Sequence, residues 1–133
     1  MNVVFVDTVG FIALWNKSDQ WHSAAKAAFS GLTATRTTLV TTTWVFVECG
    51  NAAARQPYRR TVATTRREMA AAGKLLEPSL AEIEEAWNAF EQGAPGSATI
   101  VDLISFGVMR RAGLTRALTN DAHFRAAGLE TLF

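Results

Sequence analysis

Apolar residues in this chain fall into short blocks whose period changes from one block to the next. "NVVFV" is a continuous β-rich run and predicts a buried strand that ends at Asp7. "GFIALW" begins a short helix, and "SDQWHSAAKAAFSGL" predicts a longer one with cap residues Ser18 and Asp19 and a stop at Gly31. "TLVTT" is a second strand. "TWVFVECGNAAARQ" is helical by its Ala-rich end, against a β-branched start, and Pro57 terminates it. "RRTVATTRREMAAAG" is a helix with a glycine stop, and "KLLEP" is a third strand. "SLAEIEEAWNAFEQG" is an amphipathic helix in which Ser79 and Glu82 form a capping-box pattern. After the loop "APGSA" come a buried helix, "TIVDLISFGVMRRAG", a fourth strand, "RALTN", a short helix, "DAHFRAAG", and a possible edge strand, "ETLF". Strands alternate with helices, the strands are short and apolar, and every connection is long enough for a helical crossover. The expectation is an α/β fold whose central sheet is mostly parallel, has four to five short strands and is covered on both faces.

At 133 residues, 49% hydrophobic and 19% charged, the chain reads as one globular domain, residues 1–133. No apolar run approaches the roughly 18 residues of a membrane span. The start "MNVVFVDTV" has neither a basic region nor a small-residue cleavage site, so no signal peptide is expected. Cys49 is the single cysteine; it suits a reducing, cytoplasmic setting and reads as a core residue rather than a nucleophile. Net charge is +1, but it is segregated. Arg55, Arg59, Arg60, Arg66, Arg67 and Lys74 face Glu68 alone, a local charge of +5, whereas residues 75–96 carry five acids and no Lys or Arg. The basic band is either a solvated helix face or a site for a polyanion.

Four acids sit in apolar surroundings: Asp7, Glu48, Asp102 and Asp121. Charged groups avoid such places unless something pairs with them, and Asp102 and Asp121 have no Lys or Arg immediately beside them. Asp7 and Asp121 directly follow predicted strands, while Glu48 and Asp102 lie near the starts of helices. In an open parallel sheet, ligands gather at the carboxyl ends of the strands, from which the helices leave. The four can therefore converge on one edge although 41, 54 and 19 residues separate them in turn. Two carboxylates about 5 Å apart repel by roughly 3 kcal/mol at an effective dielectric near 20. Hard oxygen ligands suit Mg²⁺ or Mn²⁺. Zn²⁺ is not expected, since His22 and His123 stand apart from each other and from Cys49. The bland alternative is helix caps and surface charges, and Asp19 is read that way.

These residues also carry a resemblance. The chain resembles, essentially end to end, PIN-domain ribonucleases of the VapC toxin type. "VFVDTVGFIAL" is similar to the family's opening strand and its acid, Asp7, and "WNKSDQWHSAA" to the segment that follows. "TTTWVFVECGN" is similar to the second motif with Glu48. "VDLISFGVMRRAGLTRALTNDAHFRAAGLETL" is similar to the third and fourth motifs with Asp102 and Asp121, and is the most specific block. Val9 stands where many relatives have Ser, which removes one hydroxyl near the first acid. The resemblance implies a three-layer α/β/α domain and a metal-dependent endoribonuclease. Asp7, Glu48 and Asp102 would form the main metal shell, and Asp121 would complete it directly or through water. Thr8 and Ser105 become candidates to hold a phosphate or orient an acid, and Asn51 to face the same site. Ser105 alternatively bonds back to its own helix. The resemblance further implies a cognate antitoxin and a homodimer.

Arg59, Arg60, Arg66 and Arg67, with Arg55, Arg110 and Arg111, are available for RNA phosphates or for an antitoxin. Trp15 and Trp21 flank the polar "NKSDQ"; they line a partner groove or close the core. Two rival readings lack residues. A haloacid-dehalogenase-type phosphatase needs an acid two positions after the first, where Val9 stands, and a phospho-receiver needs paired acids there and an acceptor Asp at mid-chain. A catalytically silent PIN fold that binds RNA or protein is the remaining alternative, although all four acids are present.

Overall fold

The computed structural model describes residues 2–93 and 96–133. Its elements are β1 (Val3–Val6), α1 (Thr8–Trp15), α2 (His22–Ala34), β2 (Thr38–Val40), α3 (Thr43–Ala53), α4 (Arg59–Ala71), α5 (Leu80–Glu91), α6 (Ile100–Ala112), β3 (Arg116–Leu118), α7 (Ala122–Ala126) and β4 (Glu130–Thr131). The strands form one parallel sheet in the order β2-β1-β3-β4. Val4 lies opposite Leu39, and Val6 opposite Leu118. Strand order reverses between β1 and β3. Such a switch point opens a crevice at the carboxyl edge, and Asp7 and Asp121 stand on its two sides.

The sheet's central strand is apolar because both of its faces are covered. Val4, Phe5 and Val6 are buried, as are Ala117 and Leu118 of β3. Burying a side chain such as Phe5 contributes about 2–3 kcal/mol from apolar transfer. Phe124 of α7 packs edge-on against Phe106 of α6, with ring centroids 4.9 Å apart. That contact pins the short α7 against the longer helix and so brings Asp121 towards Asp102. Gly10 does the corresponding work at α1: a Cβ there would lie 2.0 Å from the Leu118 carbonyl oxygen, so the helix backbone packs directly on the end of β3.

Several expectations are corrected. "KLLEP" is not a strand but a single parallel bridge, Leu75 to Thr41, held by Thr41 N–H to Lys74 O (3.2 Å) and Leu76 N–H to Thr41 O (2.7 Å). Its would-be partner β2 has only three residues before Thr42 turns to cap α3 by accepting from Val45 N–H, so little is left to pair. Ser18 and Asp19 do not cap α2. They form turns, with Asp19 Oδ1 accepting from Trp21 N–H at 2.8 Å, and the helix starts at His22. Gly31 keeps helical geometry, and α2 runs on to Ala34, where the Thr35 hydroxyl binds the last carbonyls. The loop expected at "APGSA" includes Ala94 and Pro95, outside the described residues. Trp15 stacks on Phe11 at 4.9 Å and closes the core, whereas Trp21 is exposed. Cys49 is fully buried, and burial pushes its thiol up, far from a reactive thiolate. Among the described residues no helix is long and apolar enough to cross a membrane.

Candidate active site

Each acid is placed by a local backbone device. Asp7 ends β1 and caps α1, its Oδ2 accepting from Val9 N–H at 3.4 Å. Asp102 is the third residue of α6 and half of a capping box: its Oδ2 accepts from Thr99 N–H at 3.2 Å, and its own N–H donates to Thr99 Oγ1 at 3.1 Å. Asp121 caps α7 and accepts from His123 N–H at 2.8 Å. Glu48 projects from the middle of α3 and receives the Thr8 hydroxyl on Oε1. Caps favour short polar side chains at helix starts, but three of these caps meet at one sheet edge, and there the same carboxylates repel.

Burial sharpens the repulsion. Asp7 is 1% exposed and Asp102 is 5% exposed. Burial first, and then the charge of Asp102, hold the Asp7 carboxyl up at about 7, with Glu48 adding to the shift. Asp102 is also raised, by burial and then by the charges of Asp121 and Glu48. The charges of Asp102 and Glu48 thus bear on Asp7, and those of Asp121 and Glu48 on Asp102. One oxygen of Asp7 accepts from the Thr119 hydroxyl at 3.0 Å, while the other, Oδ1, is buried with no hydrogen-bond partner. A buried carboxylate oxygen left bare costs about 1–3 kcal/mol or more. A donor set of carboxylates in excess of its counter-charges, with one oxygen unclaimed, fits a hard divalent cation.

Sequence reasoning missed three residues here. Thr119 ties the two strand ends together, donating to Asp7 and accepting from Asp121 N–H at 3.1 Å. His123, read as too isolated to ligate, has Nδ1 2.8 Å from Asp121 Oδ1 and 4.0 Å from Asp102 Oδ2, and groups with both acids as a possible ion site. The isolation holds only with respect to other His and Cys; the folding of α7 supplies the acids. Ser97 Oγ lies 3.0 Å from His123 Nε2. The one available signal was the spacing Asp121-x-His123, which an Asx-type cap turns inward. Of the weaker candidates, Thr8 reaches Glu48, Ser105 Oγ is buried with no partner rather than bonded back to its helix, and Asn51 is exposed. Arg59, Arg60, Arg66 and Arg67 are exposed on α4. Arg111 is not free for phosphate, since its Nε and Nη2 bind Glu82 and the Glu77 carbonyl. A cavity of about 590 Å³ opens between α5 and α6, but none of the four acids lines it.

The profile of the PIN domain matches residues 4–129. The chain belongs to the PIN-domain family. With that, the phosphatase and receiver readings fall. This PIN domain is 30% identical over 132 residues to the 23S rRNA-specific endonuclease VapC20 of Mycobacterium tuberculosis, known from two strains, with 95% of each chain covered. The crystal structure of VapC20, described as a sarcin–ricin loop cleaving toxin, superposes with a TM-score of 0.80 at 25% identity, again over 95% of both chains. FitAcB from Neisseria gonorrhoeae shares the fold at 13% identity, with a TM-score of 0.65 over 98% of this chain and 96% of that one.

Proposed function

We propose that this PIN domain is an endoribonuclease toxin of the VapC type that works with Mg²⁺ or Mn²⁺. The carrying observation is the buried Asp7 carboxylate, its Oδ1 unclaimed, under the charges of Asp102 and Glu48 and with no salt bridge to Lys or Arg among the described residues. Similarity to VapC20 along 95% of both chains supports RNA as the substrate class. Asp7, Glu48, Asp102 and Asp121 would hold the ion. When bound, it neutralises charge on the scissile phosphate and makes a neighbouring water easier to deprotonate.

The chain's own residues supply position. Thr8 fixes Glu48, Thr119 fixes Asp7, and the capping box with Thr99 fixes the rotamer of Asp102, so the acids are aimed before substrate arrives. The unpaired Ser105 hydroxyl offers a donor to a ligating acid or a phosphate, and Asn51 stands one turn beyond Glu48. Arg59, Arg60, Arg66 and Arg67 would contact phosphates away from the cut, or an antitoxin. Exposed Trp44 and Val47 on α3, beside Glu48, support a protein partner at the site. The antitoxin, a homodimer and a cytoplasmic location belong to this reading.

The test is cleavage of ribosomal RNA by purified protein, with 5′ ends mapped. Cleavage that requires Mg²⁺ or Mn²⁺, stops in EDTA and is absent from Asp7→Asn supports the reading. Undiminished cleavage in EDTA by Asp7→Asn protein would mean a contaminant or another mechanism. A folded, metal-binding protein that binds RNA without cutting would favour the silent binding module.

A further inference from the structure

We propose that His123 is a ligand of the ion, making the site a mixed nitrogen–oxygen one that prefers Mn²⁺ over Mg²⁺. The inference rests on the metal-dependent reading above and adds a donor to it. One ligand atom each from Asp102, Asp121 and His123 lie within 4.8 Å of one another. Ligands on opposite sides of an ion lie about 4.2 Å apart at bond lengths of ~2.1 Å, so a sub-ångström contraction suffices to close the set. Asp7 Oδ1 stands outside that trio, but it is buried with no hydrogen-bond partner, and the charge of Asp102 bears on its carboxyl, an independent sign of an unfilled ligand position beside Asp102.

The ring's second nitrogen decides in favour of ligation. His123 Nδ1 lies 2.8 Å from Asp121 Oδ1, and Nε2 lies 3.0 Å from Ser97 Oγ. A ligating Nδ1 must present its lone pair, so in the bound state the ring carries its hydrogen on Nε2. Ser97 Oγ can then accept that hydrogen, because a hydroxyl both donates and accepts. Ligating histidines commonly donate the opposite N–H to such a partner. Mn²⁺ stands at the weak end of the first-row divalent series, yet it takes an imidazole nitrogen more readily than Mg²⁺, which keeps to oxygen and water. Adding one to an acid cluster therefore tilts the choice.

Pulsed EPR of the whole chain loaded with Mn²⁺, in a buffer free of amines, reads the donor directly. The expected result is ¹⁴N modulation that becomes ¹⁵N modulation in protein labelled with ¹⁵N-histidine. It survives His22→Gln and disappears in His123→Gln, while Mn²⁺ still binds. In competition titrations, His123→Gln should reduce the Mn²⁺-over-Mg²⁺ affinity ratio about tenfold. Bound Mn²⁺ without nitrogen modulation in the wild type overturns the proposal and leaves His123 as a group that orients Asp121. Modulation lost in His22→Gln instead overturns it too. If wild-type protein binds no Mn²⁺ at millimolar concentration, the metal-dependent reading falls with it. The labelled wild type carries the test even if His123→Gln fails to fold.

Discussion

Helices α5 and α6 begin with the same device and end with opposite electrostatics. Each opens with a hydroxyl cap and an acid three residues on, Ser79 with Glu82 and Thr99 with Asp102, and in each the two reciprocal hydrogen bonds form. Arg111 from the neighbouring helix meets Glu82 with Nε 2.9 Å from Oε2, and its hydrogen bonds hold that carboxyl below the usual range. Asp102 meets no Arg or Lys among the described residues; burial and the charges of Asp121 and Glu48 hold it above that range. The capping box is a local property of four residues. Whether its acid is content is decided by residues far away in sequence, and the discontented one belongs to the candidate site.

The widest separation should appear in metal-free protein as pH changes. The folded Asp7 carboxyl sits at about 7, above the ordinary 3.8. The unfolded chain therefore ionises first as pH rises, and Asp7's contribution is greatest below about pH 4 and falls away towards pH 7. By linkage the loss is on the order of 4 kcal/mol. Melting in EDTA at pH 5 and pH 8 should show it, and Asp7→Asn should remove most of the difference. Glu82, whose folded value is lowered, works in the other sense: its contribution is present at neutral pH and fades on acidification. An unchanged pH dependence in Asp7→Asn would place the repulsion elsewhere.

Cleavage should separate the two acids nearly as far. Asp102→Asn is expected to reduce the rate on the order of 10²- to 10³-fold, the scale of losing one preorganised electrostatic group. Glu82→Gln should cut RNA at close to the wild-type rate, and an equal loss in both variants would turn Asp102 into a structural cap. Ion binding gives a smaller signal. At ten times the dissociation constant, Mg²⁺ or Mn²⁺ stabilises by about 1.4 kcal/mol, or roughly 3–6 °C. Asp102→Asn should raise the metal-free melting temperature and blunt that rise, whereas Glu82→Gln should leave the rise intact. The smallest effect concerns α4: double Ala variants at Arg59/Arg60 or Arg66/Arg67 should lower the salt slope of RNA binding by about one unit per lost phosphate contact. Unmoved binding curves for RNA and antitoxin alike would make the basic helix a solvated face.

How far the sequence could be read follows from where information resides. The capping box at Ser79 and Glu82 was legible, because its residues are adjacent and match a known pattern. The one at Thr99 and Asp102 has the same spacing and was read only as an acid near a helix start, since Asp is the less usual partner. Asp7, Glu48, Asp102 and Asp121 could be singled out from strand ends and helix starts, because ligands gather at the carboxyl edge of a parallel sheet; Glu48 in fact lies mid-helix in α3. Thr119 and His123 were out of reach for the opposite reason. Their roles depend on the register of β3 against β1 and on a five-residue helix, α7, pinned by one aromatic contact. "KLLEP" was overread because propensity cannot report that β2 runs out of backbone to offer.

Gly10 carries no charge and no donor atom, yet it lets the start of α1 rest directly against the end of β3. With a side chain at that position, the first turn of α1 and the end of β3 must part, since the added carbon would meet the Leu118 carbonyl oxygen at 2.0 Å. Asp7 rides on one of those segments, and Thr119 and Asp121 on the other. A variant such as Gly10→Ala therefore keeps every acid and changes only their spacing. For anyone wishing to grow cells carrying an otherwise intact copy of the gene, it offers a silencing lesion that no inspection of the acidic residues would detect.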